Sequence, residues 1–249
     1  MVTRAVHVVI DAADRSRLAA FWAAALDWEV RTDDPDEAVV WPAGFTYPGT
    51  SALPLVFVSV PDVKTVKNRI HLDLASTSAE HQAALVDRVL GLGATRMDIG
   101  QGDVAWEVLA DPEGNEFCVL EPRPGYADTG PVAAVVTDCA DPAALAGFWA
   151  AASGWSIRES GSGFASLRHA GDDGASAGPF LEMLRVPDAK VGKNRVHVDV
   201  APLRDGDTQA EARRLTGAGA FPVDVGQGEV SWVVLADPEG NEFCVLSPR

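Results

Sequence analysis

The chain has 249 residues, 47% of them hydrophobic, and carries 20 Lys and Arg against 36 Asp and Glu, a formal net charge of −16. That length suffices for one large domain or two of ordinary size, each burying its own core. So acidic a chain is repelled by phosphate backbones and anionic lipid, and no stretch approaches the roughly 20 apolar residues that span a bilayer, so neither nucleic acid nor a membrane is an expected partner.

The N-terminal MVTRAVHVVIDAADRSR lacks the long apolar core of a signal peptide. The cysteines are Cys118, Cys139 and Cys244, with no CxxC spacing. This fits a reduced, cytoplasmic protein in which they are small buried residues.

In chain order, RAVHVVI is a β-branched run and predicts a strand. DRSRLAAFWAAAL follows, with Leu18, Phe21, Trp22 and Leu26 at helical spacing and Asp14 as N-cap. Strands are then expected around WEVRT, AVVWP and LPLVFVSV. The pattern restarts with the strand NRIHLDLA and the amphipathic helix AEHQAALVDRVLGLG, closed by Gly91 and Gly93. Three more strands are expected around TRMDI, VAWEVLA and NEFCVLE. In the last turn, Asp111-Pro112-Glu113-Gly114, proline suits the second turn position and glycine the fourth.

The second half repeats the first. Phe21-Trp22 recurs as Phe148-Trp149 at an offset of 127, and KNRIHLD at 67–73 recurs as KNRVHVD at 193–199 at an offset of 126. VLADPEGNEFCVL occurs identically at 108–120 and 234–246. Asp141-Pro142 opens the second-half counterpart of the first helix. The Pro- and Gly-rich EPRPGYADTGP at 121–131 reads as a linker. The expected domains are 1–122 and 132–249, with a linker at 123–131 and the repeat boundary near 126.

Within NRIHLDL, side chains alternate. Ile70, Leu72 and Leu74 share one face, and Arg69, His71 and Asp73 share the other, as Arg195, His197 and Asp199 do in the second copy. Positions two apart are separated by roughly 6.6 Å, so the triplet is not expected to form one hydrogen-bonded triad. Arg69 and Asp73 read either as ion-paired scaffold or as pocket residues. His71 is the central candidate for ligand contact and, with Asp73, for acid–base chemistry.

The halves differ at two informative places. His7 is replaced by Ala134. The first half carries the aromatic stretch WPAGFTYPGT with Trp41, Phe45 and Tyr47, where the second has the polar HAGDDGASAG. Six of the seven tryptophans pair up between the halves, and Trp41 has no partner. The aromatics serve either to stack on a flat ligand or as the loop's own small core.

Four strand–helix–three-strand units, KNRxHxD and DPEGNEFCVL together resemble the vicinal oxygen chelate superfamily, which includes glyoxalase I, bleomycin resistance proteins and extradiol dioxygenases. The resemblance implies an α+β fold in which four βαβββ units form two tandem glyoxalase-like domains, each a cup-shaped mixed sheet built from the two units of its own half. Metal-dependent members draw ligands from the first, fourth, fifth and eighth strands. By resemblance, these positions are His7, none, His71 and Cys118 in the first half. In the second half they are Ala134, Glu182, His197 and Cys244. The cysteines stand where relatives place glutamate, so no cofactor is the leading expectation. The alternative is a divalent ion held by His7, His71 and Cys118.

The expected function is binding or sequestration of a small, flat aromatic molecule in the first-half cup, as in resistance members, by His7, Trp41, Phe45, Tyr47, Arg69, His71, Asp73 and Cys118. A weaker second pocket would use Glu182, Arg195, His197, Asp199 and Cys244. A metal-dependent lyase, isomerase or dioxygenase using His7 and His71 is the alternative. Monomer and homodimer both fit the sequence.

Overall fold

A computed structural model describes residues 3–34, 36–47, 49–169 and 178–249. Most of the polar loop contrasted with the aromatic stretch, residues 170–177, lies outside them. Four βαβββ units follow one another. The first comprises β1 (Thr3–Ala12), α1 (Arg15–Leu26), β2 (Glu29–Asp34), β3 (Glu37–Trp41) and β4 (Leu55–Ser59). The second comprises β5 (Ile70–Leu74), α2 (Ala79–Gly91), β6 (Thr95–Arg96), β7 (Glu107–Ala110) and β8 (Glu116–Val119). After a 3-10 turn at Pro124–Tyr126, the third comprises β9 (Val132–Cys139), α3 (Pro142–Ser153), β10 (Ser156–Ser160), β11 (Phe164–Arg168) and β12 (Phe180–Arg185). The fourth comprises β13 (Val196–Pro202), α4 (Thr208–Gly217), β14 (Phe221–Pro222), β15 (Val233–Ala236) and β16 (Glu242–Val245). Among the described residues, no helix is long and apolar enough to cross a membrane.

Local chemistry accounts for the helix starts. The Asp14 and Asp141 side chains accept from the amides of Arg17 and Ala144, and Pro142 occupies the first turn of α3.

The strands form two open, eight-stranded mixed sheets, which confirms the α+β class and the four-unit architecture. The pairing of units differs from the expectation. One sheet runs β14-β15-β16-β13-β1-β4-β3-β2, and the other β10-β11-β12-β9-β5-β8-β7-β6. Each cup therefore joins one unit from each sequence half, and neither half closes a cup alone. The reason lies in the unit edges. β1 and β5 each leave one edge open within their own unit, and antiparallel ladders to β13 and β9 cover those edges. We call the sheet containing β1 and β13 the first cup, and that containing β5 and β9 the second.

The helices complete the joint. α1 lies on β3 and β4 of the first sheet, while its Trp22 packs edge-on against Phe117 of β8, in the second, with ring centroids 5.2 Å apart. Trp149 of α3 packs against Phe243 of β16 in the equivalent way, at 5.5 Å. One continuous buried core results, running through both sheets.

The repeated DPEGNE segment is the fastener of this arrangement. Asp111 is buried and accepts from the Trp22 indole and from the backbone amides of Glu113 and Asn115. Glu113 accepts from the amides of Ala13 and Asp14 at the start of α1 and pairs with Arg195 of the other half at 3.0 Å. Asn115 accepts from the Asn68 side chain, and Glu116 pairs with Lys64 and accepts the Asn68 amide. The second copy repeats every bond: Asp237 with Trp149, Glu239 with Ala140, Asp141 and Arg69, Asn241 with Asn194, and Glu242 with Lys190. Scaffold chemistry thus explains the identity of the two copies, apart from their cysteines.

Candidate functional site

The side chains that alternate away from the helices converge inside each cup. In the first cup, β1 places His7 opposite Asp199 of β13, with Val9 opposite His197. In the second, Ala134 of β9 stands opposite Asp73 of β5, and Val136 opposite His71. The parallel neighbour β8 sets Cys118 beside Asp73. Each cup so acquires a His–Asp–Cys triplet, His71, Asp73 and Cys118 in one and His197, Asp199 and Cys244 in the other, with the ligand-type atoms of each all within 4.8 Å of one another.

His71 Nε2 lies 3.4 Å from Asp73 Oδ1, and His197 Nε2 the same distance from Asp199 Oδ1. Backbone spacing alone had argued against such a contact. The side chains lean along the strand and close the gap. Cys244 Sγ lies 3.7 Å from His197 Nε2. Both Asp Oδ1 atoms are buried without a hydrogen-bond partner. Burial, and then the charge of the neighbouring aspartate, push both cysteine thiols far up from their ordinary range. Burial alone would also raise Asp199, but the imidazoles of His197 and His7 prevail and hold its carboxyl well below the usual carboxylate range.

The candidates named from sequence therefore redistribute. His7 does not meet His71. It sits in the first cup, 3.8 Å from Asp199 and 3.3 Å from the Arg249 guanidinium, so a His7–His71–Cys118 metal set is not assembled. Trp41, Phe45 and Tyr47 also belong to the first cup. They pack on one another, centroids 6.0 and 5.4 Å apart, and Tyr47 rests edge-on against His7. Arg69 and Arg195 do not line a cup. Each bonds a turn of the other half, through Glu239 and Glu113. Glu182 of β12 faces the second cup, two strands from His71 across Val136, or roughly 10 Å.

Three cup residues were not singled out from sequence. Tyr126, in the linker, donates to Glu182 Oε1 at 2.9 Å. Arg123 lies over the rings of Trp106 and Tyr126. Arg249 reaches His7. A signal existed for the two arginines, because Glu121-Pro122-Arg123 and Ser247-Pro248-Arg249 follow the last strand of each half at the repeat offset of 126. Tyr126, at the boundary between the repeats, gave none.

Burial pushes the Glu182 carboxyl up to about 7, against the hydrogen bond from Tyr126 and with added repulsion from Asp73. A carboxyl raised in the folded state favours folding when protonated. That contribution is complete below about pH 4.5 and is lost as pH rises through about 7, a change on the order of 3 kcal/mol. Glu182→Gln is therefore expected to flatten the fall in stability between pH 5 and pH 8, read from urea midpoints. An unchanged pH dependence would show that Glu182 is not the buried group responsible.

A family model described as a Glyoxalase-like domain matches residues 7–120 and 134–246. No curated protein sequence matches. Among solved structures, glyoxalase I from Zea mays is similar at 12% identity, over 98% of this chain and 92% of that one, with a TM-score of 0.63. A putative dioxygenase from Bacillus subtilis subsp. subtilis str. 168 is similar at 13% identity, over 98% and 84%, with a TM-score of 0.60. At these identities the likeness is one of fold.

Proposed function

The chain belongs to the glyoxalase-like domain family, and on that premise we propose that it binds a small molecule in its two cups, each built around a divalent, thiophilic ion held by a His–Asp–Cys triplet. One observation carries the reading. The polar residues of the DPEGNE segments and the arginines of the KNR segments are bonded to the scaffold, whereas His71, Asp73 and Cys118 make no hydrogen bond or ion pair outside their triplet among the described residues.

The donor set fits such an ion. Metal–nitrogen and metal–sulfur lengths of about 2.0–2.3 Å put tetrahedral ligand atoms roughly 3.3–3.7 Å apart, and the His–Asp and His197–Cys244 contacts are 3.4 and 3.7 Å. An ion would satisfy the unpartnered aspartate oxygens and take the place of the thiol proton, which burial otherwise keeps on the sulfur. One imidazole, one carboxylate and one thiolate suit zinc-like ions better than the harder ions that prefer oxygen and nitrogen donors alone. His7 adds a further donor beside Asp199. When bound, the ion supplies a Lewis acid. Trp106 and Tyr126 flank the second cup and offer flat faces to the bound molecule.

This reading departs from the metal-free expectation because Asp73 on β5 and Asp199 on β13 bring a carboxylate to each histidine and cysteine. Metal analysis of protein purified without chelator tests it. Two ions per chain are expected, one per triplet, and Asp73→Asn or Cys118→Ser should each lose one while the first cup stays loaded. Wild-type protein that holds no metal and takes up no added Zn²⁺ would sink the reading and leave a metal-free binding cup in its place.

A further inference from the structure

Two cavities, of about 310 and 300 Å³, lie beside the cups at pseudo-equivalent places, where the end of α3 meets the start of β1 and the end of α1 meets the approach to β9. Their charges differ. The second carries Arg88 and His81 together with Asp27. The first carries Arg4 and His169, and no carboxylate lines it among the described residues. At the repeat offset of 127, Arg4 stands where the second half has Pro131, and His169 where the first half has Pro42, so neither residue is required by the shared fold.

Both residues have unspent hydrogen-bonding capacity. Arg4 Nη2 donates to a main-chain oxygen of Arg249 at 2.7 Å, but Arg4 Nε and His169 Nδ1 are buried with no partner. Burial, and then the like charges of Arg204 and Arg249, hold the Arg4 guanidinium below its ordinary value. Among the described residues, no Asp or Glu side chain pairs with any of these three arginines. In a chain of net charge −16, guanidinium groups that no carboxylate side chain pairs with, beside the unpartnered Arg4 Nε and His169 Nδ1, suit an anion. The rest of the wall is largely apolar, with Leu53, Trp155 and Leu203, and its volume sits at the small end of ligand pockets.

We propose that this cavity binds a small organic carboxylate, its charged end against Arg4 and His169 and its apolar body against Trp155 and Leu203. The planar guanidinium fork suits a carboxylate. The site is separate from the proposed ion sites, although Tyr47 lines the cavity and also rests on His7.

Calorimetric titration with benzoate, and with benzamide as its neutral isostere, tests the proposal on the intact chain. Benzoate should bind saturably, and benzamide at least about tenfold more weakly. Arg4→Gln should weaken benzoate by about tenfold or more, as expected for a lost charge-assisted hydrogen bond. His169→Gln gives a second reading should Arg4→Gln fail to fold. No saturable benzoate binding, equal binding of benzoate and benzamide, or a folded Arg4→Gln that binds benzoate as the wild type does would overturn it. Benzoate binding should also survive chelator treatment and Asp199→Asn. Binding that vanished with the ion would place the carboxylate in the cup instead and overturn the separate site, whereas failure of the ion reading alone would leave benzoate binding untouched.

Discussion

Asp111→Ala is expected to destabilise the chain by about 3–5 kcal/mol, lowering Tm by roughly 10 °C. The Asp111 carboxylate is buried and accepts from the Trp22 indole, from the backbone amides of Glu113 and Asn115, and from the Asn115 side chain. Alanine would leave all these donors buried and unpaired. Their loss also frees the turn that holds Glu113 on the first amides of α1 and on Arg195, so the damage reaches the other half of the chain. Asp237→Ala should cost a similar amount, because its bonds are the same. Asp111→Asn, which keeps an acceptor, should cost less. Thermal unfolding of the three variants checks this. A shift under about 2 °C for Asp111→Ala would show that the repeated segment does not fasten the fold.

The second large effect concerns the halves themselves. A chain cut once in the linker is expected to remain a single particle under native conditions, and a separately produced first half is expected not to be a folded monomer. In the intact chain β1 pairs with β13 from Thr3 to Ile10, and β5 with β9 from Ile70 to Leu74. The isolated half would bare both of these edges, and exposed strand edges pair with whatever strand is available. Sedimentation velocity distinguishes the outcomes. Two dissociating monomers after cutting, or a stable monomeric half, would contradict cups that span the halves.

The elements themselves were legible because their periods are strong. Leu18, Phe21, Trp22 and Leu26 mark a helix face, and Ile70, Leu72 and Leu74 mark a strand face, and all seven are buried. Pairing between units was not legible. KNRIHLD and KNRVHVD are so alike that either could pair with β1 or with β9, and the same apolar edge is covered in both arrangements. This one ambiguity misassigned the company of His7, Trp41 and Tyr47. The His71–Asp73 contact was hidden for another reason. Strand spacing fixes Cα positions, whereas the contact depends on how two side chains lean. Glu182 was visible as a carboxylate on the fourth strand of its half, but its raised pKa comes from burial in a cup completed by another unit, with Asp73 of that unit adding to it.

In the proposed ion sites Cys118 and Cys244 act as ligands rather than as small core residues. Electronic absorption of the protein titrated with Co²⁺ tests it most directly, since only a thiolate bound to the metal gives a strong sulfur-to-metal charge-transfer band. Wild-type protein is expected to develop the band to saturation at two equivalents of Co²⁺, one per triplet. Cys118→Ser should retain about half of it, and the double variant Cys118→Ser, Cys244→Ser none. Wild-type protein that takes up Co²⁺ without the band, or takes up none, would contradict the claim.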